Sequence, residues 1–387
     1  MLQSQRNLFD IPHDVCYVNA AAWSPLPIGA VELGRVAAAR KAQPWTIPAG
    51  FDEQQFERAR AAAAGLINAD VGDVALISSV GYGVSTAAKA WAVAPGSRVL
   101  VLAADHSSPV LEWMVRAGAG GFEVETVACG SDHDWTSALL AAIAQPDAKP
   151  LALASISSVH WSDGGAIDLD QVQAALKRAG AGLLIDATHA AGVLPLDVTT
   201  LDPDFVIFPT YKWLLGPYGR AFIYVAKRHQ GGVPLEQTSS GRKRVVATDP
   251  QYFTDLDYVE SARRFDMGER DFWVSLDVAA YSIELIQSWS VDAVRDRLEM
   301  LTGRIADGLA ARGLPIEVVA KALRAPHILS LGFHKGMPKD LPERLAAEQV
   351  YAAARLGRLR VSPHVYNDEA DCDRFVEVMA RVLGSRD

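Results

Sequence analysis

A chain of 387 residues, half of them apolar and 21% charged, has the material for a sizeable core and the length for two domains. A formal net charge of −9 with no dense Lys/Arg cluster argues against a nucleic-acid or anionic-membrane surface and favours small-molecule chemistry. Cys16, Cys129 and Cys372 stand far apart without Cys-x-x-Cys spacing, so neither a disulfide framework nor a zinc knuckle is suggested.

The opening of the chain, through Trp23, lacks the basic start and apolar run of a secretory signal. No later stretch reaches the ~18 apolar residues of a membrane span, and the chain reads as cytoplasmic. From residue 74 onward, short β-branched apolar runs alternate with helical stretches: 74–78, 98–102, 122–127, 151–155, 182–185, 205–208 and 221–225. That rhythm predicts an α/β fold, a mainly parallel seven-stranded sheet between helices. The turn-rich LLGPYGRA replaces a helix between the last two runs, which makes that pair antiparallel. Residues 237–270 lack periodicity and read as a long excursion from the sheet. Helices over 272–289 and 291–313, strands over 327–333 and 359–365, and a closing helix over 368–384 predict a smaller α+β domain. The expected division is 16–272 for the large domain and 273–387, with 1–15, for the small one. There is no internal repeat or low-complexity tract.

Lys212, in FPTYKWLLGPYG, follows the run 205–208, so its amine should emerge at the carboxyl end of a buried strand, where open α/β sheets bind ligands. Apolar and aromatic neighbours would desolvate it, lower its pKa and make it nucleophilic toward an aldehyde; the plainer reading is a surface lysine with its stem on those neighbours. Asp186 ends GLLID at another strand end. A carboxylate there can keep a pyridine nitrogen protonated, and a pyridinium ring is an electron sink for a carbanion; alternatively Asp186 caps a helix beginning near Thr188. His189 can donate to a phenolic oxygen and His106 can lie flat on a pyridine ring, or each is a structural histidine.

In LISSVGYGVSTAAKAW a strand enters a glycine-bracketed turn and a helix, so the amides near Tyr82 and Gly83 can point at a phosphate. The turn is also like a truncated dinucleotide fingerprint, though its third glycine is missing. Arg360, in GRLRVSPHVYN, can grip a substrate carboxylate with two parallel hydrogen bonds. The other reading is an exposed strand arginine, like Arg355 and Arg358 beside it.

IDATHAAGVLPLDV followed by FPTYKWLLGPYGRAFIYV resembles the cofactor-binding stretch of the class-V aminotransferase family of fold-type I pyridoxal-phosphate (PLP) enzymes. That family includes cysteine desulfurases, kynureninases and isopenicillin N epimerase-like proteins. The likeness runs from CYVNAAAWSPLP to RVSPHVYNDEAD, nearly the whole chain. It implies PLP as cofactor, Lys212 as the Schiff-base lysine, Asp186 as the partner of the pyridine nitrogen and His189 as the neighbour of the phenolic oxygen. It further implies His106 as the ring-stacking residue, Tyr82 and Gly83 at the phosphate turn, Tyr211 near the phosphate, Trp161 on the substrate side and Arg360 on the substrate carboxylate. A homodimer with active sites at the interface is implied as well. In RFDMGERDFW Gly268 is retained, but Glu269 replaces a threonine that reaches the partner subunit's phosphate in many relatives, so Arg270 compensates or the contact is absent. VYAAARLGRLR has no cysteine for a persulfide, which disfavours thiolate chemistry at that loop.

The leading expectation is transamination of an amino acid, with Lys212 moving the Cα proton. Elimination of a β-substituent and epimerisation are the alternatives within the family. A non-catalytic PLP-binding module and a nicotinamide oxidoreductase are the alternatives outside it.

Overall fold

The computed structural model describes residues 2–245, 255–270 and 273–384, so part of the predicted excursion, 246–254, lies outside the described residues. In chain order β1 (Cys16–Tyr17), α1 (Ile28–Arg40) and α2 (Phe51–Leu66) precede a regular alternation. It runs β2 (Val74–Ile77), α3 (Val80–Ala90), β3 (Arg98–Leu102), α4 (Ser107–Gly120), β4 (Glu123–Val127), α5 (Trp135–Ile143), β5 (Leu151–Ser157), α6 (Leu169–Ala179), β6 (Gly182–Asp186), α7 (Val198–Leu201), β7 (Phe205–Pro209) and β8 (Ala221–Val225). After the excursion come α8 (Trp273–Trp289), α9 (Val291–Ala311), β9 (Ile316–Val318), β10 (Leu329–Phe333), α10 (Leu341–Ala347), β11 (Val350–Tyr351), β12 (Ala353–Arg355), β13 (Arg358–Val361) and α11 (Glu369–Gly384).

The seven-stranded sheet has the order β2-β8-β7-β6-β5-β3-β4. Its pairings are parallel except the two made by β8, which therefore runs against all the others. Strands β3, β6, β7 and β8 bury every residue, as a sheet covered by helices on both faces requires. Local sequence sets the joints. Helix α6 starts where Asp168 Oδ1 accepts from the Gln171 amide at 3.0 Å and stops at Gly180, whose φ of 69° is cheap only for glycine. At Gly83 a Cβ would lie 2.8 Å from Ile207 Cγ2 and 2.8 Å from Ile77 Cδ1. The bare glycine lets α3 press onto β2 and β7, which aims the amino end of α3 at the carboxyl ends of those strands.

The smaller sheet, β12-β13-β10-β9, is antiparallel and α9 packs with α11. The N-terminal segment is tied to this part: Gln5 N donates to Val365 O at 2.8 Å, Arg6 pairs with Asp371 at 2.7 Å, and β1 pairs in parallel with β11. Helix α8 instead packs on α1 and α2. We therefore propose that the domain boundary falls after α8 and not at 272/273. Among the described residues no helix is long and apolar enough to cross a membrane.

A buried ion pair fixes the chain after the excursion to the edge of the large sheet. Arg60 and Asp266, both with fully buried side chains, meet at 2.8 Å; Asp266 Oδ1 also accepts from the Leu76 amide at 2.8 Å. Asp266→Ala would remove the buried carboxylate that Arg60 and Arg270 share, leaving Arg60 only the partly exposed Glu57 as counter-charge, and should cost about 3–5 kcal/mol of stability, read as a lower urea midpoint. A loss below about 1 kcal/mol would show that this tie is dispensable.

Candidate active site

Strands of the large sheet deliver their carboxyl ends to one cavity of about 320 Å³. Ser79 follows β2, His106 follows β3, Trp161 follows β5, Asp186 closes β6 and Lys212 follows β7, and all five line the cavity.

Lys212 stands in the tight connection between β7 and β8. Thr210 N donates to Arg220 O at 3.0 Å, Gly216 N to Thr210 O at 2.8 Å and Thr210 Oγ1 to Pro217 O at 2.6 Å, so the loop is closed on itself. With Trp213, Leu214 and Leu215 buried around it, the lysine is only 7% exposed, which removes the reading as a surface residue. Burial, and next the positive charge of Arg360, pull its ammonium down from 10.5 to about 7, against the opposing pull of Asp186. The amine is thus largely unprotonated just above neutrality and able to attack a carbonyl. Uptake of an aldehyde by the cofactor-free protein should accordingly rise about tenfold per pH unit below 7 and level off above it. A midpoint near 10 in that uptake profile would contradict the desolvated amine.

His189 has a fixed tautomer. Trp213 Nε1, which can only donate, lies 3.0 Å from His189 Nδ1, so Nδ1 carries a lone pair and the ring proton sits on Nε2. Burial and the charge of Lys212 hold the imidazole neutral, well below its usual pKa. Nε2 lies 3.3 Å from Lys212 Nζ, so its N–H is directed at the lysine nitrogen.

Asp186 is 3% exposed. Its Oδ1 accepts from the Thr188 amide at 2.9 Å and from the Thr188 hydroxyl, so the capping reading holds in part: the residue pins the turn after β6. Among the described residues Oδ2 has no hydrogen-bond partner, and Asp186 lines the cavity. Burial pushes its carboxyl up, offset by the Thr188 bonds and the charges of Lys212 and His106. A cation placed against Oδ2 would stabilise the ionised form.

The glycine turn differs in register from the expectation. Tyr82 N donates to Ser79 Oγ at 3.1 Å and Gly83 N to Ser79 O at 3.1 Å, so these two amides are committed to the helix. The unengaged amides at the start of α3, among the described residues, are those of Val80 and Gly81, and it is Ser78, Ser79 and Val80 that line the cavity. The Tyr82 hydroxyl bonds to Glu236, and burial raises its pKa. An N-capping serine two residues ahead of the glycine pair was the missed signal.

His106 lines the cavity with its ring edge-on to Trp161, centroids 5.9 Å apart at 87°. Burial, then the charge of Lys212, lowers its pKa. Trp161 Nε1 donates to Ala104 O at 2.7 Å, which holds the indole on the cavity wall. Tyr211 lies against Tyr218, ring centroids 3.9 Å apart, with Lys212 Nζ 5.5 Å from its ring centre. Arg360 is 1% exposed and donates from one nitrogen to Trp161 O at 2.6 Å; its Nε is buried without a partner. Burial, then the charge of Arg355, pulls it down to about 9. Arg355 is half-buried where the sequence suggested an exposed strand arginine. Near the excursion, Arg270 NH1 donates to Asp266 Oδ2 at 2.5 Å, so it is engaged within its own chain, and Gly268 N donates to Glu236 Oε2 at 2.5 Å.

A buried lysine amine and a buried carboxylate, brought together at the carboxyl ends of a sheet with this topology, are the marks of a vitamin-B6-dependent enzyme of fold type I. The Aminotransferase class-V family model matches residues 50–375, and the chain belongs to that family. It is 26% identical over 229 residues to the Uncharacterized aminotransferase YcbU of Bacillus subtilis, a match covering 59% of either chain and so less than two thirds of that relative. It is 22% identical over 347 residues to a probable cysteine desulfurase of Pyrococcus abyssi, covering 86% of this chain and 84% of the other. Its fold is that of the cysteine desulfurase CsdA of Escherichia coli, with a TM-score of 0.85 at 20% identity over 98% and 97% of the two chains.

The expected cofactor is pyridoxal 5'-phosphate. The donor set fits it: an amine for the aldehyde, Asp186 Oδ2 for the ring nitrogen, the His189 Nε2–H for the phenolic oxygen, and the unengaged Val80 and Gly81 amides for a phosphate.

Proposed function

We propose that the chain is a PLP-dependent aminotransferase that acts on an amino acid through Lys212. The observation that carries this reading is the buried Lys212 amine lining one cavity with the buried carboxylate of Asp186, with the charge of the buried Arg360 reaching that amine and no carboxylate on Arg360 among the described residues. When bound, the cofactor supplies the electron sink. Asp186 keeps the proton on the ring nitrogen, His189 donates from Nε2, and His106 covers one face of the ring. Arg360 takes the substrate α-carboxylate through Nε and its unengaged terminal nitrogen, which orients the Cα–H bond. Lys212 Nζ removes that proton and returns it.

Elimination is the second reading, favoured by the similarity to a probable cysteine desulfurase. Against a persulfide route, no cysteine lines the cavity among the described residues, and burial raises the thiols of Cys129 to about 11 and Cys372 to about 12. Incubating holoenzyme with a panel of amino acids and an α-keto acid acceptor decides the matter. Amino-group transfer supports the proposal; pyruvate, ammonia or sulfide released without acceptor overturns it in favour of elimination. We also place the protein in the cytoplasm as a homodimer whose second copy covers the cavity mouth. Tyr218, 61% exposed, lines the cavity and packs on Trp23, 64% exposed, and such an apolar rim suits an interface.

A further inference from the structure

The hairpin of β12 and β13 carries three arginines on one face. Its register pairs Ala353 with Arg360 and Arg355 with Arg358, and cross-strand partners share a face, as do residues two apart on a strand. Arg358 is consumed structurally: it donates to Ser330 Oγ at 2.8 Å and Ser330 O at 3.1 Å. Arg355 donates to Ala354 O at 2.7 Å and Arg360 to Trp161 O at 2.6 Å, and neither meets a carboxylate among the described residues. The two converge on Trp161, whose ring centre lies 5.9 Å from the Arg355 guanidinium carbon and which lines the cavity.

Two guanidiniums on one face without a counter-charge repel each other. Their charges also reach the Lys212 amine, and Arg355 depresses Arg360. One α-carboxylate has two oxygens and can occupy one planar fork fully. Arg360, the deeper of the two, takes it in the reading above, and Arg355, half-buried beside the cavity-lining Trp161, is left without an anion among the described residues.

We propose that the substrate is an amino acid with an anionic side chain, its α-carboxylate held by Arg360 and its second anion by Arg355. This rests on the function proposed for Lys212 and Arg360 and names the substrate class for that site. Trp161 touches both arginines, its ring by Arg355 and its carbonyl by Arg360.

The test is spectroscopic titration of holoenzyme with matched pairs, aspartate against asparagine and glutamate against glutamine. One charge-assisted contact should favour one acidic member by roughly 10–100-fold in half-saturating concentration. Arg355→Gln should bring that ratio close to one, and Arg355→Lys, which keeps the charge, should retain part of it. Succinate against butyrate as competing ligands gives the same comparison without turnover. Equal or better response to the neutral members, or an unchanged ratio in Arg355→Gln, overturns the acidic assignment and leaves the Lys212 reading standing. No spectral response to any amino acid overturns both.

Discussion

Lys212→Ala protein, given pyridoxal phosphate and then borohydride, should carry no cofactor mass on the chain, whereas the parent protein should be labelled once, on the peptide containing Lys212. Turnover should fall by roughly 10²–10⁴-fold or more, because the same nitrogen both holds the cofactor and shuttles the Cα proton. The site makes this substitution a chemical one. Lys212 accepts one side-chain hydrogen bond, from His189, and among the described residues forms no ion pair, so its removal leaves no described carboxylate stranded. Labelling of the variant at another lysine with retained turnover would refute the assignment.

Asp186→Asn should retain the fold and bind cofactor but lose roughly 10²–10³-fold in kcat, the scale of losing one preorganised electrostatic group. Asparagine keeps an oxygen for the Thr188 amide and hydroxyl, so the turn after β6 survives while the negative charge disappears. Without that charge a ring nitrogen beside it is no longer held protonated. Asp186→Ala should instead cost stability as well, since it leaves the buried Thr188 groups unpaired. If the asparagine variant turned over at the parent rate, the carboxylate would be only a turn-former.

The sequence carried the large sheet well because its signals are local. Buried parallel strands are short apolar runs, and the turn-rich stretch between Phe205–Pro209 and Ala221–Val225 announced the one reversed strand. Lys212 and Asp186 stood out because one follows such a run and the other closes one. The small domain was less so: β9, β11, β12 and α10 have two to seven residues, too few for periodicity to register. The packing of α8 on α1 and α2, from which the later boundary is proposed, joins residues more than 200 positions apart and leaves no local signal. At the turn before α3 the glycines drew attention that belonged to Ser79, whose hydroxyl occupies the Tyr82 amide and leaves the open donors at Val80 and Gly81. Arg355 looked ordinary because burial and the shared hairpin face emerge only from strand register. The lock of Trp213 on His189 is likewise tertiary, although the two rings flank Asp186 and Lys212 in sequence.

The closed loop that holds Lys212 also assigns the work of accommodating different ligands. A segment cross-tied between two central strands has little slack, so the wall bearing the amine behaves as a fixed anvil. Arg360 stands on a separate four-stranded layer that is itself tied to the large sheet, through Arg360 to the Trp161 carbonyl and through Ser330 Oγ to the Ser162 carbonyl. If Arg360 takes the substrate carboxylate as proposed, engineering aimed at new substrates belongs on the side chains of its hairpin and not around the lysine.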